Sequence, residues 1–361
     1  MSKLHFINVD PGDCTIIEHN SGNVTMIDIC DGFTPEEIEN ATKSAAFDGA
    51  DWTQLLVKGV GGNFQMKANL TNPVEYLDSI GINSIFRFIL THPDMDHMDG
   101  LKALADAKSV SNFWDTGVNK PKPTFSGSPY REEDWDQYRA FVAGKNTTYI
   151  KRLAGERFQF ANQNANKESG GDGLYILAPD KGLVEHASES EDYNEASYVI
   201  LYRSAGGRIL IPGDAHDKSW EFILGNSEKD VANCSVMIAP HHGRDSGRTY
   251  DFLDKIRPQL TLFGNAPSEH LAYAQWNKRG LPFITSNQAG NVVLECKDGR
   301  INVFVENESF AKKAGQYSHI QNSQGYYLYE IINEIKEGEL TQSDKASVSQ
   351  LLASIYGKQL T

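Results

Sequence analysis

Paired cysteines, long apolar runs and an excess of positive charge are all missing from this 361-residue chain. Its four cysteines, Cys14, Cys30, Cys234 and Cys296, show no C-x-x-C spacing. Three of them sit in strand-like apolar runs, where cysteine acts as a small buried hydrophobe, so a reducing compartment is expected. No apolar run approaches the roughly 18 to 20 residues of a membrane helix, which argues against a membrane partner. The start, Met1-Ser2-Lys3-Leu4-His5-Phe6, lacks the charged, apolar and small-residue regions of a signal peptide, and a cytoplasmic location is expected. Acidic residues outnumber basic ones by 48 to 34, for a formal charge of -14. That argues against nucleic-acid binding through a broad basic surface. It leaves room for a nuclease whose carboxylates hold metal ions, because bound cations supply positive charge where a phosphate must sit.

Hydrophobic content of 40% with 23% charged residues is that of an ordinary globular protein, long enough for one large domain or two smaller ones. The first thirty residues read as an antiparallel meander, with turns at Asp10-Pro11-Gly12-Asp13 and Asn20-Ser21-Gly22-Asn23. Asn72 as N-cap, Pro73 in the first turn and Gly81 as the stop predict a helix between them. Residues 101–107 read as another. Residues 111–172 break the rhythm with Pro, Gly, Ser, Asn and charge, yet carry Trp114, Phe125, Tyr130, Trp135, Tyr138 and Phe141. They are expected to be an insertion with some helix of its own, either roofing a site or decorating the surface. Strands and helices then alternate to about residue 305, suggesting two packed sheets covered by helices. Beyond that, Tyr327, Leu328, Ile331, Ile332 and Ile335 fall on one helical face, and Val348, Leu351, Leu352, Ile355 and Tyr356 on a second. These helices are expected to pack on their own domain, with a homodimer contact as the alternative.

The chemistry concentrates in Thr91-His92-Pro93-Asp94-Met95-Asp96-His97-Met98-Asp99-Gly100, directly after the apolar run Ile85-Phe86-Arg87-Phe88-Ile89-Leu90. A solvated acidic loop would explain the aspartates but not the two histidines. Imidazole nitrogen and carboxylate oxygen are ligands that zinc and manganese accept, and a strand-end loop can turn several of them inward at once. One loop cannot finish a four-ligand site, so other strand ends must contribute. Pro212-Gly213-Asp214 and Pro240-His241-His242-Gly243 both follow apolar runs. His5, His19, His186, His216 and His319 have no such company and read as surface or packed histidines, with His216 the least settled.

In this order the motifs resemble the metallo-β-lactamase superfamily, and more closely the soluble hydrolase domain of the ComEC-type competence proteins, where His-x-Asp-x-Asp-His replaces the commoner His-x-His-x-Asp-His. Val9-Asp10-Pro11-Gly12-Asp13-Cys14 with Met26-Ile27-Asp28 is similar to the opening hairpin of that group. Asn194 with Ser197-Tyr198-Val199-Ile200, Pro212-Gly213-Asp214, Pro240-His241-His242-Gly243, and Asn265 with His270, Ile284-Thr285-Ser286 and Gly290 are similar to its later segments. The likeness covers about residues 4–305. It implies an αββα sandwich of two mixed sheets flanked by helices (residues 1–305, with the insertion at about 111–172), followed by a helical extension over 306–361.

The resemblance also implies a metal shell of His92, Asp94, Asp96, His97, Asp214 and His242 around two divalent ions, zinc or manganese, with Asp214 bridging. His242 is favoured over His241 as the last ligand because it directly precedes glycine, which leaves His241 to touch substrate. The chain departs from the wider pattern at Asn194 and Ser197, where a further histidine would stand, so one metal position is expected to be weak, open, or better suited to manganese than zinc. Asp96 would ligate and orient the attacking water, and His270 would protonate the leaving group. Arg244, Ser246 and Arg248, with Asn194, would bind a phosphate. The implied activity is a phosphodiesterase or nuclease acting on nucleic acid or nucleotides. The alternatives are hydrolysis of another ester or amide, such as a lactam, thioester or lactone, or a metal-binding regulatory module that acts through a partner.

Overall fold

The computed structural model describes residues 1–30, 70–158, 160–266, 270–314 and 317–334. In chain order the strands are β1 Ser2–Phe6, β2 Thr15–Glu18, β3 Val24–Ile27, β4 Ile29–Cys30, β5 Ser84–Ile89, β6 Met98–Asp99, β7 Ser109–Trp114, β8 Thr148–Ile150 and β9 Leu174–Ala178. They continue as β10 Val199–Ser204, β11 Gly207–Ile211, β12 Val236–Ile238, β13 Leu260–Phe263, β14 Phe283–Thr285, β15 Val292–Lys297, β16 Arg300–Val305 and β17 Tyr327–Asn333. Among the described residues they form one nine-stranded sheet, in the order β17-β16-β15-β1-β2-β3-β5-β7-β8, and one six-stranded sheet, β14-β13-β12-β11-β10-β9. The pair β4-β6 stands apart. Both large sheets are mixed: β3, β5, β7 and β8 run parallel in the first, and β11 to β14 in the second.

Alternation along the strands explains the layering. Ile27 and Ile89 face the six-stranded sheet while their neighbours Met26 and Phe88 face the other way. Ile209 and Ile211 point into the same inter-sheet core, and Leu210 points outward. Strands buried on both faces read as near-continuous apolar runs, interrupted here by Thr25, Arg87 and Arg208. The outer face of the first sheet is covered by α1 Pro73–Ser79, α2 Leu101–Ala107 and α3 Glu132–Val142 through Tyr76, Leu77, Leu104, Trp135 and Phe141. After α4 Lys181–Ser190, the second sheet is covered by α5 Asp217–Val231, α6 Phe252–Ile256 and α7 Tyr273–Arg279 through Trp220, Ile223, Leu253 and Trp276. The result is an αββα sandwich. Asn72 caps α1 as expected, its side chain accepting from the backbone of Val74 and Glu75.

Two expectations change. The polar stretch 111–172 begins inside a core strand, since β7 pairs with β5 and carries the buried Phe113 and Trp114. Tyr327, Leu328, Ile331 and Ile332, expected on a helix, instead lie in β17, antiparallel to β16, and Ile335 lies outside the described residues. Leu328 and Ile332, four apart, suit a helical face. Here the pairing shifts register, Glu330 opposing Val303 and Leu328 opposing Phe304. That bulge sends Leu328 into an outer cluster with Val293 and Phe304, and Ile332 into the inter-sheet core. The apolar spacing that suits a helical face is here divided between the two faces of a strand. The helix of the C-terminal region is Glu308–Ala314. The second expected helix, over 348–356, and any dimer surface on it lie outside the described residues. All four cysteines are buried and unpaired with one another.

Candidate metal centre

Strand ends of both sheets meet at one edge of the sandwich. The loop after β5 carries His92 to His97, with a 3-10 turn at Met95–His97. The loops after β11 and β12 bring Asp214 and the His241-His242 pair, and the β1–β2 loop brings Asp13. Backbone hydrogen bonds tie the loops together: His241 N donates to Gly213 O at 3.1 Å, and Tyr198 N donates to Thr91 O at 2.9 Å. Asn265 Nδ2 donates to Val9 O at 2.9 Å. Gly213, at φ 51°, lies so close to Thr91 that a Cβ would come within 2.8 Å of that side chain. His241 and His242 both hold positive φ, 54° and 57°. Such backbone is uncommon without glycine and costs on the order of 1–3 kcal/mol per residue.

Asp13, His97, Asp214 and His242 are buried, and their ligand atoms all lie within 4.8 Å of one another. His97 Nε2 is 3.2 Å from Asp214 Oδ1. His242 Nε2 is 3.3 Å from Asp96 Oδ2 and 3.6 Å from Asp214 Oδ2. The nitrogens His92 Nε2, His97 Nε2 and His242 Nε2 and the oxygen Asp214 Oδ1 are buried and make no hydrogen bond. Leaving so many polar atoms unsatisfied is costly, and a divalent cation is the partner that suits imidazole and carboxylate together. The residues therefore fit a metal at the cluster of Asp13, His97, Asp214 and His242, with Asp96 Oδ2 beside it at 3.3 Å from His242 Nε2.

Sequence reasoning missed the groups behind these ligands. His97 Nδ1 donates to Asp28 Oδ2 at 2.8 Å, and Asp28 also accepts from Thr91 N and Thr91 Oγ1, each at 2.7 Å. Asp13 Oδ1 lies 3.3 Å from His242 Nδ1. A carboxylate behind a ligand histidine fixes the ring and leaves the opposite nitrogen for the metal. Both aspartates sit in the opening hairpin, but neither position has a spacing signal in the sequence.

The electrostatics match this reading. Burial opposes ionisation of Asp96, yet the close approach of His242 and the charge of His97 outweigh it and hold the carboxyl well below its usual range. Asp214 is likewise held low, His242 and His97 overcoming its burial. Burial disfavours charge on His97 and His242 as well, but Asp214 with Asp28, and Asp214 with Asp13, push their pKa values up. His92 lacks such partners, and burial with the neighbouring His97 takes it down to about 4.

A second group, Asp192, Glu195 and His216, also offers ligand atoms within 4.8 Å of one another, so the described residues hold two candidate metal clusters. Its atoms are already engaged: His216 Nδ1 donates to Asp192 Oδ2 at 2.8 Å, and Asn194 Nδ2 donates to His216 Nε2 at 2.9 Å. Glu195 accepts from Ser219 N at 3.1 Å, at the start of α5. His216 is thus buried and polar-bonded, 5.9 Å from the ring of His241.

Of the expected substrate groups, Arg248 reaches the histidine pair, its Nη1 donating to His241 Nδ1 at 3.4 Å. Arg244 is half-buried and Ser246 exposed on the same loop. His270 is exposed, and its carbonyl accepts from Asp245 N. Asp94 is 3.8 Å from His92 Nε2. It is also paired with Lys120 Nζ at 2.5 Å, a partner that the sequence did not single out.

The sandwich is a metallo-β-lactamase-type fold with its candidate metal centre at one edge of the paired sheets. No family model matches the chain. The competence protein ComA of Neisseria gonorrhoeae is 20% identical over 240 residues, covering 64% of this chain and 28% of that protein. The chain thus spans less than a third of that relative's length. Among solved structures it is similar to a metal-dependent hydrolase of the β-lactamase superfamily, at 14% identity over 82% of this chain and all of the other, with a TM-score of 0.44. It is also similar to a metallo hydrolase of Ignicoccus hospitalis (12% identity, 82% and 100% coverage, TM-score 0.41) and to unliganded yeast PDE1 (10% identity, 79% and 98% coverage, TM-score 0.37).

Proposed function

We propose that this chain is a metal-dependent hydrolase that cleaves phosphodiesters in nucleic acid or nucleotides, with residues that would hold zinc or manganese at two positions sharing Asp214. The observation that carries the metal dependence is the set of buried, unbonded ligand atoms on His97, His242 and Asp214 converging at strand ends. His97, Asp96, Asp214 and His242 would hold one ion, and His92, Asp94 and Asp214 the other. Bound divalent ions lower the pKa of a water towards about 7 and neutralise charge on a phosphate.

The chain's own residues supply the remainder. Asp96, ionised at neutral pH, accepts a hydrogen bond from the attacking water and orients it. Because Arg248 donates to His241 Nδ1, the neutral ring of His241 carries its proton on Nε2, on the side of Asp214, where it can donate to a substrate oxygen. Arg248 and Arg244 supply fixed positive charge for a non-bridging oxygen, with Ser246 and Asn194 as further donors. His270, on the adjoining segment, protonates the leaving oxygen.

The test is to load the protein with zinc or manganese and assay bis-p-nitrophenyl phosphate, single-stranded DNA and a chromogenic lactam side by side. Phosphodiester cleavage is expected, with kcat lowered at least about 100-fold by Asp96→Ala. Turnover of the lactam alone would replace the phosphodiester reading with the amide one. Bound metal with no turnover of any of the three substrates would favour the metal-binding regulatory module.

A further inference from the structure

The two metal positions are not built alike. The inner one would draw on Asp96, His97, Asp214 and His242, with Asp28 Oδ2 2.8 Å behind His97 Nδ1 and Asp13 Oδ1 3.3 Å from His242 Nδ1. The outer one has His92 and Asp94, plus a share of Asp214. The stretch that would complete it offers Asn194, whose amide is engaged with His216 Nε2 at 2.9 Å, and the buried Ser197. A protein cation already stands at this position. Lys120 Nζ lies 2.5 Å from Asp94 Oδ1 and 4.9 Å from the centre of the Tyr193 ring. The lysine side chain is 17% exposed.

This lysine is held by its backbone, not by chance of a long side chain. Beyond β7, Tyr138 Oη donates to Asp115 Oδ2 at 2.7 Å, and Gly117 N donates to Asp115 Oδ1 across a positive-φ turn. Val118 then buries itself among Val184, Ala187 and Ala196. The chain is thereby fixed two residues before Lys120, which brings the ammonium to Asp94. A lysine charge and a metal ion compete for one carboxylate, because each neutralises it and their close approach repels.

We propose that Lys120 holds Asp94 in place of an ion at the outer position, so that the resting protein carries one tightly bound divalent ion and one fixed lysine charge. This rests on the metal-dependent hydrolase reading. The outer ion then binds only by displacing the lysine, and the two affinities are widely separated.

Titrating metal-free protein with manganese alone, by calorimetry and by metal content after desalting, tests this without any substrate. One equivalent is expected to bind tightly and the second at least about 100-fold more weakly. Lys120→Met should bring the second within about tenfold of the first, whereas Lys120→Arg should leave it weak. Lys120→Gln serves the same purpose if the methionine variant does not fold, with circular dichroism as the control. Two equivalents of similar affinity in the unmodified protein would overturn the proposal, as would a second affinity unchanged in both neutral variants. Binding of no metal at all would overturn the hydrolase reading beneath it.

Discussion

At the scale of single residues, the sequence shows ligands better than it shows what holds them. His92, Asp94, Asp96 and His97 stand out because one loop packs them together, and Asp214 and His242 because each ends an apolar strand. Asp28 has no such mark. It directly follows β3, reads as part of the opening hairpin segment Met26-Ile27-Asp28, and acquires its role only when β3 and β5 pair and bring it beside Thr91 and His97. Lys120 was hidden differently, inside a stretch whose composition reads as irregular. Asp28 receives three donors, from Thr91 N, Thr91 Oγ1 and His97 Nδ1. An asparagine has one acceptor oxygen and an amide that would face a donor. Asp28→Asn should therefore weaken metal binding by about 10- to 100-fold while leaving every direct ligand in place. Competition with a chromophoric chelator measures this. An unchanged affinity would mean that His97 needs no carboxylate behind it.

At the scale of elements, the strand-end loops were legible where punctuation and burial agreed, as at Pro212-Gly213-Asp214. Residues 327–332 were misread because their apolar pairs, Tyr327-Leu328 and Ile331-Ile332, suit a helical face, whereas β17 carries a bulge that puts Leu328 and Ile332 on opposite faces without leaving a sequence signal. The insertion was misjudged because Phe113 and Trp114 sit next to polar chain, so composition averaged over the window hid a core strand. Close approach between loops is also invisible in sequence. Gly12, in the β1–β2 loop, packs on the metal loop so tightly that a Cβ would lie 2.4 Å from Asp96 O and 2.5 Å from Cys30 Cβ. The first obstacle is backbone, so Gly12→Ala must push the Asp96 segment away rather than turn a side chain aside. The substitution should cost about 1–3 kcal/mol of stability. It should also lower the affinity of the inner metal position, which an equally destabilising change on the far side of the sandwich would not do. Paired urea unfolding and metal titration separate the two effects.

At the scale of the whole molecule, the sandwich is closed opposite its apolar logic by one buried polar network, and that network makes stability depend on pH. Arg87, on β5, is buried and donates through Nη2 to Asp172 Oδ2 at 3.1 Å and through Nη1 to Thr25 Oγ1 at 2.7 Å. Asp172 also accepts from Ser21 Oγ at 2.6 Å and Asn23 Nδ2 at 3.0 Å, so the end of the 111–172 segment is pinned to the β2–β3 turn. Thr25 Oγ1, which accepts from Arg87, also shares a hydrogen bond with His19 Nε2, 2.8 Å away. Burial is the main reason its pKa falls to about 4, Asp172 partly offsetting and Arg87 adding to the shift. The unfolded chain has an ordinary histidine near about 6.5. Between the two values the unfolded state binds more protons, so stability from this group is complete above about 6.5 and is lost as pH falls towards about 4. From pH 6.5 to pH 5 the loss is about 1.5 kcal/mol. In His19→Gln the amide oxygen can take the Thr25 hydrogen but cannot titrate. Urea unfolding of the metal-free protein at several pH values should give a variant profile flatter than the parent's by that amount, and because every other titrating group is common to both proteins, parallel profiles would show that His19 is not held neutral by this network.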